Sequence, residues 1–83
     1  MNKVLVKLYV PNIDEQYDIW LPINKKLYKV IVLLIKAVYD FSDGQYNPKH
    51  IPKLYDKATA KEYDINLNAK EANIRNGTEI ILI

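Results

Sequence analysis

The chain has no cysteine among its 83 residues. Disulfide frameworks, thiol nucleophiles, redox sensing and cysteine-based zinc sites are therefore excluded together. A reducing compartment fits that composition. Glycine is nearly as scarce, present only as Gly44 and Gly77, so no glycine-rich phosphate loop exists. There is one arginine, Arg75, among twelve basic residues. The other bases are lysines, which meet phosphates as point charges and lack the planar fork suited to reading bases. The formal net charge of +2 is too small and too mixed to announce a nucleic-acid partner. Long hydrophobic runs are missing as well. The longest, Val30 to Ile35, has six residues between Lys29 and Lys36, against the ~20 that span a bilayer.

What remains is a chain that is 49% hydrophobic, with one Trp, one Phe and seven Tyr. Ordering it costs roughly 1.5 kcal/mol per residue, a cost that a single well-packed core has to offset. The length predicts one domain over residues 1–83. Met1 to Lys7 alternates polar and apolar residues, which reads as a strand and not as a targeting segment.

Over Lys3 to Val10, the residues Val4, Val6, Leu8 and Val10 share one face and Leu5, Lys7 and Tyr9 the other. Turn residues from Pro11 to Glu15 separate this strand from a second, Gln16 to Leu21, with Tyr17, Ile19 and Leu21 facing inward and Asp18 and Trp20 outward. The two predict a hairpin. Asn24 is positioned to cap a helix from Lys25 or Lys26 to Tyr39. Its buried stripe is Leu27, Ile31, Leu34 and Val38, flanked by Val30, Ile35 and Phe41. Val32 and Leu33 lie near the polar stripe, so the helix carries more apolar surface than one sheet face covers. Either a long loop covers them or they form a shoulder for a partner. Asp43-Gly44 ends the helix. Short strands are expected at Lys53 to Tyr55 and Thr59 to Tyr63, a single helical turn at Ala69 to Ala72, and a closing strand from Thr78 to Ile83 with Ile80 and Leu82 inside. Burial of Ile80 and Leu82 under the helix sets the last strand beside the first, in parallel, through a right-handed crossover. The expected class is α+β: a roll with a mixed sheet of four to five strands covered by one long helix.

This order of elements resembles the ubiquitin-like β-grasp fold. The C-terminal third, Leu54-Tyr55-Asp56-Lys57 followed by Ala69 to Leu82 with Ile74-Arg75-Asn76-Gly77 at its centre, resembles the YukD/EsaB family of small bacterial ubiquitin-like proteins. The Asn-Gly turn is also what any closing hairpin of this fold favours. The resemblance implies a cytoplasmic accessory or regulatory component of a type VII secretion system, reaching the inner face of the membrane through a protein partner. It also implies work beside a membrane-embedded ATPase and its helical WXG-type substrates. One departure bears on chemistry. Modifiers and sulfur carriers of this fold end in Gly-Gly, whereas this sequence ends Ile81-Leu82-Ile83, which leaves no acceptor for conjugation unless the sequence was truncated.

No enzymatic constellation emerges, and no cofactor or metal is expected. His50 is the lone histidine and lies in a loop; Asp40 to Gly44 lacks the alternating acids of a calcium loop. Candidate function falls to two surfaces. On the outer sheet face Leu5, Tyr9, Trp20 and Ile81 converge, with Tyr55 a further candidate; in ubiquitin-like folds this face is the usual docking surface. On the helix, Val32 and Leu33 lie beside Lys25, Lys26, Lys29 and Lys36. Lysines at a helix N-terminus oppose the macrodipole, so helix stability does not account for them. The reading is a non-enzymatic protein-interaction module with a protein partner, without nucleic-acid binding or direct membrane insertion. The competing classes are a small basic nucleic-acid-binding domain, for which lysines and exposed aromatics speak, and a modifier or carrier without its Gly-Gly tail.

Overall fold

The computed structural model describes residues 2–83; Met1, the first residue of the alternating N-terminal stretch, lies outside them. Strand β1 (Lys3–Val10) runs through a short 3-10 turn (Pro11–Ile13) into β2 (Glu15–Pro22). The reversal is completed at Asp14, whose φ of 50° is tolerated by a short polar side chain. Helix α1 (Leu27–Phe41) follows, then β3 (Leu54–Asp56) and β4 (Glu79–Leu82). The sheet order is β2-β1-β4-β3, with β1 and β4 parallel and the other pairs antiparallel. The closing strand thus lies beside the first, as burial of Ile80 and Leu82 requires, and both are fully buried.

The core is the layer between helix and sheet. Val6, Leu8, Val10 and Leu21 from the hairpin meet Leu27, Val30, Ile31, Leu34 and Val38 from α1, closed by Leu54, Ile80 and Leu82. Alternation at period two and a stripe at period 3.6 meet at one interface, which fixes both the sheet's inner face and the helix phase. Val30, expected at the border of the stripe, is fully buried, whereas Phe41 is 55% exposed. Phe41 still packs against Tyr17 of β2, with ring centroids 5.3 Å apart and the planes tilted by 42°.

Two expectations are corrected. Asn24 does not cap α1: the N-cap is Lys26, without a side-chain cap. The backbone N–H groups of Leu27 and Tyr28 instead donate to the carbonyls of Leu67 (2.8 Å) and Ile65 (3.1 Å), so a distant loop satisfies the helix terminus. Thr59 to Tyr63 does not form a strand and touches β3 through one bridge, Tyr55 to Glu62. Asp56 is the reason. Its carboxylate accepts from Thr59 N–H and Oγ1, its carbonyl accepts from Ala60, and Ala60 takes φ 60°, which curls the chain where a ladder would need it extended. Ala69 to Ala72 makes the expected single helical turn: Ala72 N–H donates to the Asn68 carbonyl at 3.0 Å, and Asn68 and Glu71 exchange side-chain to backbone hydrogen bonds at 2.8 and 2.9 Å like a capping box. Asn73, at φ 61°, stops it after that turn.

No loop covers Val32 and Leu33, which are 63% and 47% exposed. The segment after α1 goes to the other end of the core, where Tyr46 is buried and Ser42 Oγ accepts its N–H at 2.9 Å.

Candidate functional site

The strand registers decide which outward residues meet. Leu5 stands opposite Trp20, and Tyr9 opposite both Gln16 and Ile81, with Ile81 in turn opposite Tyr55. Between these two rows lies Lys7, opposite Asp18 on one side and Glu79 on the other. The outer face is therefore two apolar patches separated by a charged row, and the expected convergence of Leu5, Tyr9, Trp20 and Ile81 into one surface does not occur.

The first patch is built around Trp20, which is 48% exposed. Its neighbour Leu5 is fixed from the other side: Leu5 N–H donates to Asn76 Oδ1 at 2.8 Å, and Gly77 N–H donates to the Leu5 carbonyl at 2.8 Å. The Asn-Gly turn thus extends the sheet beside β1. Gly77 has φ 87°, which an L side chain rarely adopts, although a Cβ there would meet nothing within 4 Å. Leu5, Lys7, Asp18, Trp20, Asn76 and Gly77 line an open hollow. Its lining combines apolar Leu5, aromatic Trp20 and polar Lys7, Asp18 and Asn76, the composition of a surface that receives an apolar side chain of another protein.

The second patch is less free. The Tyr9 hydroxyl donates to Asp14 Oδ1 at 3.0 Å, and Lys57 Nζ lies 5.8 Å from the Tyr9 ring centroid while also 3.6 Å from Glu79. The hydrogen bond to Asp14 and its negative charge, with a smaller effect of burial, push the phenol pKa up. Tyr9 is thus held by the molecule's own groups. Ile81 and Tyr55 beside it are half-buried.

The helix presents Val32 and Leu33 with Tyr28, Lys25 and Lys29 around a shallow hollow. Tyr28 and Tyr39, 44% and 48% exposed, were not singled out in the sequence. The signal was available, since Tyr28 lies four residues before Val32 and Tyr39 seven after it, both at helical spacing. His50 is exposed in the loop before β3. Among the described residues no three histidine, aspartate or glutamate side chains gather as a metal site would require. Nor is any helix among the described residues long and apolar enough to cross a membrane.

Solved structures share this architecture over the entire chain. The ubiquitin-like domain of the Mycobacterium tuberculosis type VII secretion system protein EccD1 superposes with a TM-score of 0.80 at 10% identity, covering 100% of this chain and 99% of that one. The EccD5 ubiquitin-like domain from Mycobacterium xenopi gives 0.78 at 16% identity, covering 100% and 94%. The chain has a ubiquitin-like fold. A ubiquitin-like domain of an Arabidopsis thaliana protein matches at 0.65 and 18% identity, covering 100% and 78%, so at these identities the likeness is one of fold. No family model and no curated protein matches the sequence.

Proposed function

We propose that this ubiquitin-like chain is a non-enzymatic protein-interaction module, an accessory or regulatory component of a bacterial type VII secretion system. It acts in the cytoplasm, at the inner face of the membrane when bound to a partner such as a membrane-embedded secretion ATPase. Two independent lines support the secretion assignment: the YukD/EsaB-like C-terminal third of the sequence, and the full-length structural likeness to EccD ubiquitin-like domains. The observation that carries the docking role is Trp20. It is a large aromatic placed outside the core by a regular strand, opposite Leu5 and on the wall of an open hollow. Tyr9 and Ile81 form a secondary contact on the far side of the Lys7 row.

The test is co-purification of the tagged chain with the FtsK-like ATPase and WXG-type proteins of the source organism, comparing wild type with Trp20→Ala. The variant is expected to keep its melting temperature and lose capture, because an aromatic anchor supplies roughly 2 kcal/mol or more of binding. A folded variant that retains every partner removes the sheet face from the proposal.

A further inference from the structure

Helix α1 is apolar over more of its circumference than the sheet covers. Leu27, Val30, Ile31, Leu34 and Val38 are buried. Tyr28, Val32 and Tyr39, by contrast, are 44%, 63% and 48% exposed. Together with half-buried Ile35 they form a second series at positions 28, 32, 35 and 39. At 100 degrees per residue these four fall within about 60 degrees of one another along one flank. Steps of four, three and four are the seam spacing of helices packed side by side, and this seam runs for ~16 Å, three turns.

A receptacle already exists on it. Lys25, Tyr28, Lys29 and Val32 border a hollow, with Leu33 at its edge. Tyr28, Lys29, Val32 and Leu33 come from the first two turns of α1 and Lys25 from the chain just before it, so the hollow sits at the N-terminal end of the seam. Tyr39 at the far end is held in place: its ring lies over Gly44, 3.3 Å from where a Cβ would be.

Charge selects the occupant. Lys29 and Lys36 lie on one side of the seam with Asp40 beyond them, and Lys25 borders the hollow from just ahead of the helix. The ion pairs among the described residues are Lys53–Glu62 and Lys57–Glu79, so these three lysines have no carboxylate partner. A second copy laying its own α1 here would set lysine row against lysine row, which costs binding.

We infer that this flank of α1 docks an acidic amphipathic helix of a partner protein. That helix has about three turns, apolar residues at alternating three- and four-residue spacing, and carboxylates facing Lys25, Lys29 and Lys36. The inference rests on the reading of the chain as an interaction module but uses a surface that the core separates from Trp20.

The experiment titrates the whole chain, followed by backbone NMR, with two synthetic helices of about fourteen residues held helical by a side-chain cross-link. Both carry leucines at the seam spacing; one has glutamate flanks and the other lysine flanks. The glutamate peptide is expected to shift the amides of residues 28 to 39 and to bind about tenfold or more tighter than the lysine peptide. Val32→Glu should weaken it about tenfold or more at an unchanged melting temperature, with Val32→Ser as the milder variant should the first unfold; Trp20→Ala should leave peptide binding intact. Equal binding of the two peptides overturns the inference, as do shifts confined to β1 and β2 or absence of binding at millimolar peptide. So does a concentration-dependent dimer without peptide, or binding to anionic lipid vesicles that Val32→Glu abolishes. Loss of natural partners with Trp20→Ala bears only on the sheet face, so the two readings fail separately.

Discussion

Tyr63 and Tyr46 show how far single residues depend on neighbours that no local pattern reveals. The Tyr63 hydroxyl donates to Asp56 Oδ1 at 3.4 Å. Burial, then the Asp56 charge, then this hydrogen bond push its pKa up to about 12 from the usual 10.0. The folded state thus prefers the protonated phenol. Its contribution to stability is complete below the unfolded value near pH 10 and is lost as pH rises through about 12. Urea midpoints measured from pH 9 to 12 should therefore fall in the wild type and fall less steeply in Tyr63→Phe. A slope unchanged by the substitution would show that Tyr63 titrates normally. Tyr9, Tyr17 and Tyr46 are also raised, so some slope is expected to persist. Tyr46 differs because its hydroxyl is buried without a hydrogen-bond partner among the described residues. Leaving such a group unpaired costs ~1–3 kcal/mol, so Tyr46→Phe should raise the denaturation midpoint by about 1 kcal/mol of stability. A loss of similar size would mean that the hydroxyl has a partner in solution. Neither environment was legible in the sequence, where Tyr46 sits in a polar loop and Tyr63 ends an expected strand.

At the scale of elements, the long periodic segments were more legible than the short ones. The α1 stripe and the hairpin alternation each repeat over several periods, so errors in single positions average out. Leu34→Ala is expected to cost about 2–5 kcal/mol and Lys29→Ala well under 1 kcal/mol; equal denaturation midpoints would refute the helix phase. The start of α1 was misread because its N–H groups bond to Leu67 and Ile65, some forty residues away in sequence, while Asn24 carried the local signal. The expected strand at Thr59 to Tyr63 failed for the opposite reason, a side chain of local reach. Asp56 captures Thr59 and Ala60 before pairing can extend. Lys29 connects stability to function. It lies in the first turn of α1, which holds no acidic residue, so Lys29→Glu should stabilise the fold by about 0.3–1 kcal/mol through the helix dipole. The same change should weaken the acidic helical peptide. A variant that gains stability and binds the peptide equally well would show that the lysine row does not choose the occupant.

For the molecule as a whole, the topology followed from one requirement, that Ile80 and Leu82 share a core with Val6, Leu8 and α1. The division of the outer face did not, because it depends on register. Pairing Leu5 with Trp20 and Tyr9 with Ile81 sets Lys7 between Asp18 and Glu79, and no periodicity within one strand reveals that row. The same placement argues against the nucleic-acid reading. No basic residue occurs from Leu8 to Asn24, where Asp14, Glu15 and Asp18 make the hairpin acidic. Lys53 and Lys57 lie beside the carboxylates of Glu62 and Glu79, at 4.0 and 3.6 Å, which offset part of their charge. The flank of α1 offers three lysines, Lys29 and Lys36 on the helix and Lys25 just before it, short of the track of cations over which a polynucleotide releases counterions. Binding of a nonspecific DNA or RNA oligonucleotide is thus expected to be undetectable at micromolar protein and physiological salt, measured by fluorescence anisotropy. Affinity depends on salt with a slope of about −0.9 per phosphate neutralised on duplex DNA, so a weak contact seen only at low salt with a slope near −3 is consistent with α1 alone. Micromolar binding at physiological salt with a much steeper slope would require a cationic surface that this arrangement of charges does not provide, and would replace the protein-docking function with a nucleic-acid one.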